Sequence, residues 1–153
     1  MVVMTRWLNP DEQHTWRAFL TASRGVMDAL DRELQRDAGM PHAYYEILVR
    51  LSEAPERRMR MSELAEITGS SRSRLSHAVA RLEAAGWVRR EDCPTDRRGQ
   101  VAHLTEAGFQ TLAAAAPGHV EGVRRHLFDV LSPAEVDQLR RISETLAAHL
   151  TGS

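Results

Sequence analysis

The stretch MSELAEITGSSRSRLSHAVARLEAAGWVRREDCPTDRRGQVAHLTEAG, residues 61–108, decides the fold. Ser62 stands where it can cap a short helix, 63–68, with Leu64, Ala65 and Ile67 as its apolar residues. Gly69, Ser70 and Ser71 supply a turn. The spacing of Leu75, Val79 and Leu82 then predicts a second helix over 72–85, which Gly86 ends. Two short strands follow, 87–90 and 101–104. The segment between them, EDCPTDRRGQ, is rich in turn formers, so the pair reads as a hairpin.

Helix, glycine turn, helix and hairpin in that order is a winged helix-turn-helix. In such a lobe the second helix buries one face and offers the other to a major groove. The outward positions here are Arg72, Ser73, Arg74, Ser76, His77 and Arg81, short polar or cationic groups suited to base edges and phosphates. An isolated basic helix face is more often merely solvated. Two features favour DNA in this case: a hairpin follows at once with Arg97 and Arg98 in its loop, and no acidic side chain sits on the exposed helix face before Glu83.

The flanks supply further helices. Asn9-Pro10-Asp11-Glu12 has capping-box spacing, and Trp16, Phe19, Leu20, Val26, Met27, Leu30 and Leu34 form a helical stripe that Gly39 can stop. A helix after Pro41 places Tyr44, Ile47, Leu48 and Leu51 on one face. Thr105 opens another, in which Pro117-Gly118 is expected to cause a kink or break. Ser132-Pro133-Ala134-Glu135 is a second capping box, starting a helix with Val136, Leu139, Ile142, Leu146 and Leu150. The expected fold is mainly α with a small β-hairpin wing. It forms one protomer over 1–153, with a DNA-binding lobe at 41–104 and dimerisation helices at 10–38 and 105–150.

Charge distribution supports that division. Residues 57–98 hold ten Arg against six acids, a balance of +4, while the rest of the chain stands at -5. The basic block lies between acidic flanks, as expected if only the middle meets a polyanion. The chain contains no Lys, so every basic contact falls to a guanidinium group, which can bind phosphate or guanine through two bonds. A single cysteine, Cys93, excludes an internal disulfide and fits a reducing, cytoplasmic setting. No apolar run is long enough for a membrane span, and the start of the chain lacks the apolar core of a signal peptide.

The quoted stretch resembles the DNA-binding core of the MarR family of transcriptional regulators. The resemblance rests on Arg81-Leu82-Glu83, Gly86, Val88 and Arg90, on Asp96-Arg97-Arg98, and on Leu104-Thr105-Glu106-Ala107-Gly108. It implies a cytoplasmic homodimer on a pseudo-palindromic double-stranded operator, with repression as the default. Arg72, Ser73, Arg74 and His77 would meet base edges, Ser71 and Arg81 phosphates. Arg98 would enter the minor groove, supported by Asp96. Arg74 stands where the family often has Thr, and Ser73 where it often has Pro or a small residue, which bears on the bases read and not on DNA binding.

The resemblance also implies a small aromatic or phenolic effector between dimer helices and DNA-binding lobe. Trp16, His42, Tyr44, Tyr45 and Arg50 are the candidate lining groups, although aromatics at helical spacing more often fill cores. Cys93 reads as a structural thiol first and a redox sensor second, with Arg89 and Arg90 near enough in sequence to favour a thiolate. His119 and His126 share a helical spacing, but no Cys/His cluster has zinc spacing, so neither metal nor cofactor is expected. Phosphate-loop and nucleophile-elbow signatures of enzymes are missing. The remaining rival is a winged helix that binds protein instead of DNA.

Overall fold

The structure, a computed structural model, describes residues 4–152, apart from the side chains of 96–98. Among the described residues, six α-helices and three strands follow one another as α1 (Pro10–Ala38), α2 (His42–Glu53), β1 (Arg58–Arg60), α3 (Met61–Thr68), α4 (Arg72–Ala84), β2 (Val88–Cys93), β3 (Asp96–Leu104), α5 (Glu106–Val123) and α6 (Pro133–Thr151). They divide into two compact units. One is Asp31–Glu121; the other joins the chain ends, up to Leu30 and from Gly122.

The Asp31–Glu121 unit holds the core. Leu48, Leu51, Leu64, Leu75, Val79, Leu82, Ala102 and Leu104 are all at most 1% exposed. They come from α2, α3, α4 and the sheet, so the two helices of the turn motif and the wing share one apolar centre. Gly69, with φ 64°, ends α3 in the left-handed region that glycine adopts at no steric cost. Ser71 then caps α4 by accepting from the Arg74 amide at 3.1 Å. Thr105 ties the far ends together. Its amide donates to the Trp87 carbonyl at 3.0 Å, and its hydroxyl donates to the Gly86 carbonyl at 2.7 Å while accepting from the Gly108 amide at 3.0 Å. Gly108 packs so closely on the Trp87 carbonyl that a Cβ there would collide with it.

The sheet is antiparallel with order β1-β3-β2. Its third strand, β1, is an addition to the expected hairpin. Three residues, Arg-Met-Arg, are too short to show an alternation, and the pairing Met59–Ala102 makes the strand. The hairpin itself is longer than the apolar positions suggested, since β2 and β3 run through the charged residues to a turn at 94–95. Two further expectations fail. Helix α3 begins at Met61, with Arg60 at its cap position and no side-chain cap, so Ser62 lies inside the helix. Helix α5 continues through Pro117, so the break that was one of the two expected outcomes there does not occur. The proline forfeits one backbone bond, but the preceding run Ala113–Ala116 has the highest helix propensity and no bulk beside the ring.

In the other unit, the start of α1 is closed by a reciprocal pair. The Glu12 amide donates to Asn9 Oδ1 at 2.8 Å, and the Asn9 amide to Glu12 Oε2 at 2.9 Å. Ser132 and Glu135 repeat the device at α6. Between α5 and α6 lies a π-helical turn, Arg124–Phe128, closed by the Asp129 amide on the Arg124 carbonyl at 2.8 Å. Helix α6 is 19 residues long and buries none of them in the protomer. Ile142 and Leu146 line a shallow apolar cleft with Leu8, Trp16 and Phe19, and Ile142 remains 59% exposed.

Candidate nucleic-acid interface

Helix α4 is two-faced by construction. Leu75, Val79 and Leu82 are buried, while Arg72, Ser73, Arg74, Ser76, His77 and Arg81 are exposed. Every outward position expected from the sequence is therefore on the surface. Ser71 is exposed as well, and its oxygen is engaged by the Arg74 amide. That bond uses the hydroxyl as an acceptor, which leaves its proton to donate elsewhere.

The arginines of the lobe fall into two sets. Arg57, Arg58, Arg89 and Arg90, on the sheet and the segment before it, are neutralised locally. Arg57 pairs with Glu106 at 3.1 Å and stacks on Phe109, Arg58 faces Glu56 and Glu91, Arg89 pairs with Glu91 at 2.9 Å, and Arg90 pairs with Glu83 at 2.8 Å. Arg72, Arg74 and Arg81 have no ion-pair partner among the described residues. Exposed guanidinium groups along one helix, left without carboxylates, form an anion-binding surface.

A groove of about 340 Å³ runs beside this face. Its walls include Arg60, Ser62, Arg72, Ser76 and Gln100, from β1, α3, α4 and the wing. Arg60 is a basic group that the sequence reading missed. It donates from Nη2 to Thr95 Oγ1 at 2.9 Å, across the hairpin turn, and its place beside α4 depends on the strand β1 that had no sequence signature. Asp96 begins β3, followed by Arg97 and Arg98, but the side chains of these three lie outside the described residues. Cys93 ends β2, buried at 7% exposure with its sulfur 3.4 Å from Thr95 Oγ1, an environment that shields a thiol from reagents.

The ligand candidates separate. His42, Tyr45 and Arg50 share a cleft of about 340 Å³ with Glu46, Val49, Glu53 and His119. Tyr45 is at the same time a buried member of the lobe core, Tyr44 packs against that core without lining the cleft, and Trp16 belongs to the other unit, where it lies against Phe19. His119 was not among the candidates. Its ring centroid lies 4.4 Å from that of Tyr45 and 5.4 Å from that of His42, and its Nδ1 is buried with no hydrogen-bond partner. Burial first, then the neighbouring His42, hold His119 below the ordinary histidine value, with Glu33 opposing. Burial likewise pushes the Tyr45 phenol up. No group of three or more His, Cys, Asp or Glu among the described residues could hold a metal ion.

A compact helix-turn-helix with a three-stranded wing and an unneutralised outward helix face defines a winged-helix protein of the nucleic-acid-binding type. Comparison with known proteins narrows this. A family profile described as MarR family matches residues 38–99. The chain is similar to Sco3205, a MarR family transcriptional regulator from Streptomyces coelicolor solved in complex with DNA. Identity is 55%, coverage 95% of this chain and 92% of that one, and the TM-score 0.92. It is also similar to AbsC, another MarR family regulator from Streptomyces coelicolor, at 47% identity over 97% of this chain and 100% of that one, with TM-score 0.91. The transcriptional repressor MprA of Escherichia coli is 30% identical over 112 residues, which span 73% of this chain and 63% of MprA. The chain belongs to the MarR family of transcriptional regulators.

Proposed function

We propose that the protein is a sequence-specific regulator of transcription that binds double-stranded DNA as a homodimer in the cytoplasm. The observation that carries the reading is the set of exposed arginines on α4, Arg72, Arg74 and Arg81, which lack carboxylate partners among the described residues while Arg89 and Arg90 on β2 have them. In this reading Arg72, Ser73, Arg74 and His77 meet base edges in the major groove, and Ser71 and Arg81 hold phosphates. Arg98, with Arg97 beside it and Asp96 in support, enters the adjacent minor groove. Residence on a promoter blocks transcription. The DNA complex of Sco3205 supports the DNA-binding part of this reading.

The partner for dimerisation is a second copy of the chain. Helix α6 buries no residue within the protomer, and Trp16, Phe19, Ile142 and Leu146 are each at least 45% exposed. Apolar surface of that kind is covered in a stable oligomer.

A small aromatic carboxylate is the proposed effector, held in the cleft of His42, Tyr45, Arg50 and His119. The observation that favours it is the buried, unpartnered Nδ1 of His119 beside two aromatic rings, because such an atom gains a bond when a polar ligand arrives.

Both readings are tested on a duplex recovered by the protein from a randomised DNA pool. The expected affinity falls steeply with salt, since each phosphate contact releases counterions, and it falls again when an effective aromatic carboxylate is added. Recovery of no preferred duplex would count for the protein-binding winged helix. Affinity that no aromatic carboxylate alters would remove the effector.

A further inference from the structure

Between the recognition helix and the wing lies a three-residue brace that no part of the DNA-contact assignment uses. The Arg90 side chain, on β2, lies along two turns of α4. Its Nε donates to Glu83 Oε1 at 2.8 Å, and its Nη1 donates to Ser76 Oγ at 3.3 Å. Its backbone amide also approaches Glu83 Oε2 at 3.3 Å. Glu83 thus takes both the side chain and the main chain of one strand residue. Ser76 and Glu83 are seven positions apart, so they share one flank of the helix, beside the buried stripe of Leu75, Val79 and Leu82, and the guanidinium runs along that flank. The pair is half-shielded, with side-chain exposures of 25% and 33%, which protects it from solvent better than the other ion pairs of the sheet among the described residues.

We infer that Arg90 and Glu83 are positioning residues, which fix the rotation of α4 about its own axis relative to the wing so that helix and wing fit DNA together. The inference rests on the DNA-binding reading. Its physical basis is that the apolar packing of Leu75, Val79 and Leu82 has no directional preference of its own, whereas a guanidinium bonded at two points along a helix allows little rotation or sliding. Phosphates and base edges demand registry within tenths of an ångström, so a small rotation of α4 misplaces Arg72 and Arg74 together.

The sign of one substitution separates this role from its rivals. Glu83 is an acidic group on a lobe that is to meet a polyanion. On charge alone, Glu83→Gln strengthens DNA binding. The brace predicts the opposite: Glu83→Gln weakens binding to the selected duplex about fivefold, while binding to a scrambled duplex stays level or tightens. Arg90→Ala has the same effect, and adding Glu83→Gln to it costs nothing more, because the two act as one unit. Arg90→Lys recovers part of the affinity, since an ammonium can satisfy Glu83 but cannot also span to Ser76.

Affinities are measured across a salt series, with thermal unfolding of every variant alongside. If Arg90 itself held a phosphate, its loss would lower the salt slope by about 0.9 and would add to the effect of Glu83→Gln, and that result overturns the inference. Unchanged or tighter specific binding by Glu83→Gln overturns it too. Should Arg90→Ala fail to fold, Glu83→Gln, which keeps shape and volume, still decides. A wild-type protein that recovers no duplex at all ends the DNA-binding reading itself, a result distinct from any difference between variants.

Discussion

The backbone amide of His42 donates to Oδ1 of Asp31 at 2.8 Å. Helix α2 has Pro41 at its cap position and no side-chain cap from its own neighbourhood, so a carboxylate eleven residues back in α1 does that work. The bond joins the last part of α1 to the first turn of α2 and aims a negative charge at a helix N-terminus. Asp31→Ala should cost about 1 kcal/mol of stability, the usual loss for a removed N-cap. Denaturant unfolding measures it. A loss below a few tenths of a kcal/mol would show that water replaces the carboxylate.

The same α2 carries His42 and Tyr45 toward His119, and this predicts a pH dependence of stability. His119 is held below its ordinary value near 6.5, chiefly by burial. The unfolded chain therefore takes up the proton first. The contribution to stability is complete above 6.5 and is lost as pH falls through the lowered folded value. His103 is shifted in the same direction, by burial and then by Arg89 and Arg58, and adds to the slope. Unfolding between pH 8 and pH 5 should show stability declining on the acid side, with a shallower decline in His119→Gln. An identical slope in that variant would assign the dependence elsewhere.

On α4 the expected effects differ in kind. Arg72→Ala or Arg74→Ala should each cost about 1–3 kcal/mol on the selected duplex and relax base preference at one position. Arg81→Ala should weaken selected and scrambled duplexes alike, because a phosphate carries no base identity. Competition between the two duplexes separates the outcomes. Preference intact in both Arg72 and Arg74 variants would mean that α4 is not the reader.

For the wing, Arg98→Ala should weaken operator binding more than roughly tenfold without changing thermal stability, as expected for an arginine inserted in a narrow minor groove. Asp96→Ala should give a smaller loss in the same direction, since its role is to orient the guanidinium. Equal affinity of wild type and Arg98→Ala would confine DNA contact to the helix.

Assembly is open to a direct test. Ile142→Glu with Leu146→Glu places two charges in the apolar cleft beside Trp16 and Phe19, and the protein should sediment as a monomer while keeping its helical content. A wild-type protein already monomeric at micromolar concentration would refute the dimer.

How far these features can be read from sequence depends on their physical origin. The α4 faces were legible because helical periodicity sorts Leu75, Val79 and Leu82 from Arg72, Arg74 and Arg81 with no tertiary information. The boxes at Asn9–Glu12 and Ser132–Glu135 were legible because their partners are three residues apart. What escaped is what the chain brings together over long distances. Strand β1 exists through β3, some 40 residues on, and Arg60 with it. His119 enters the cleft only because α5 does not break at Pro117, and there the local rule that proline ends helices gave the wrong expectation. The bond from Asp31 to His42 has no pattern to announce it.

The division of labour on α4 and at its ends bears on how such a protein changes over time. The groups that hold the frame are the apolar stripe, the Ser71 cap, and Thr105, which bonds to backbone atoms alone. None of these is Arg72, Ser73, Arg74 or His77, and those four are solvent-facing. Descendants can therefore exchange the residues at these four positions while inheriting the same scaffold at nearly constant stability, so the sequence it recognises can diverge far faster than its architecture.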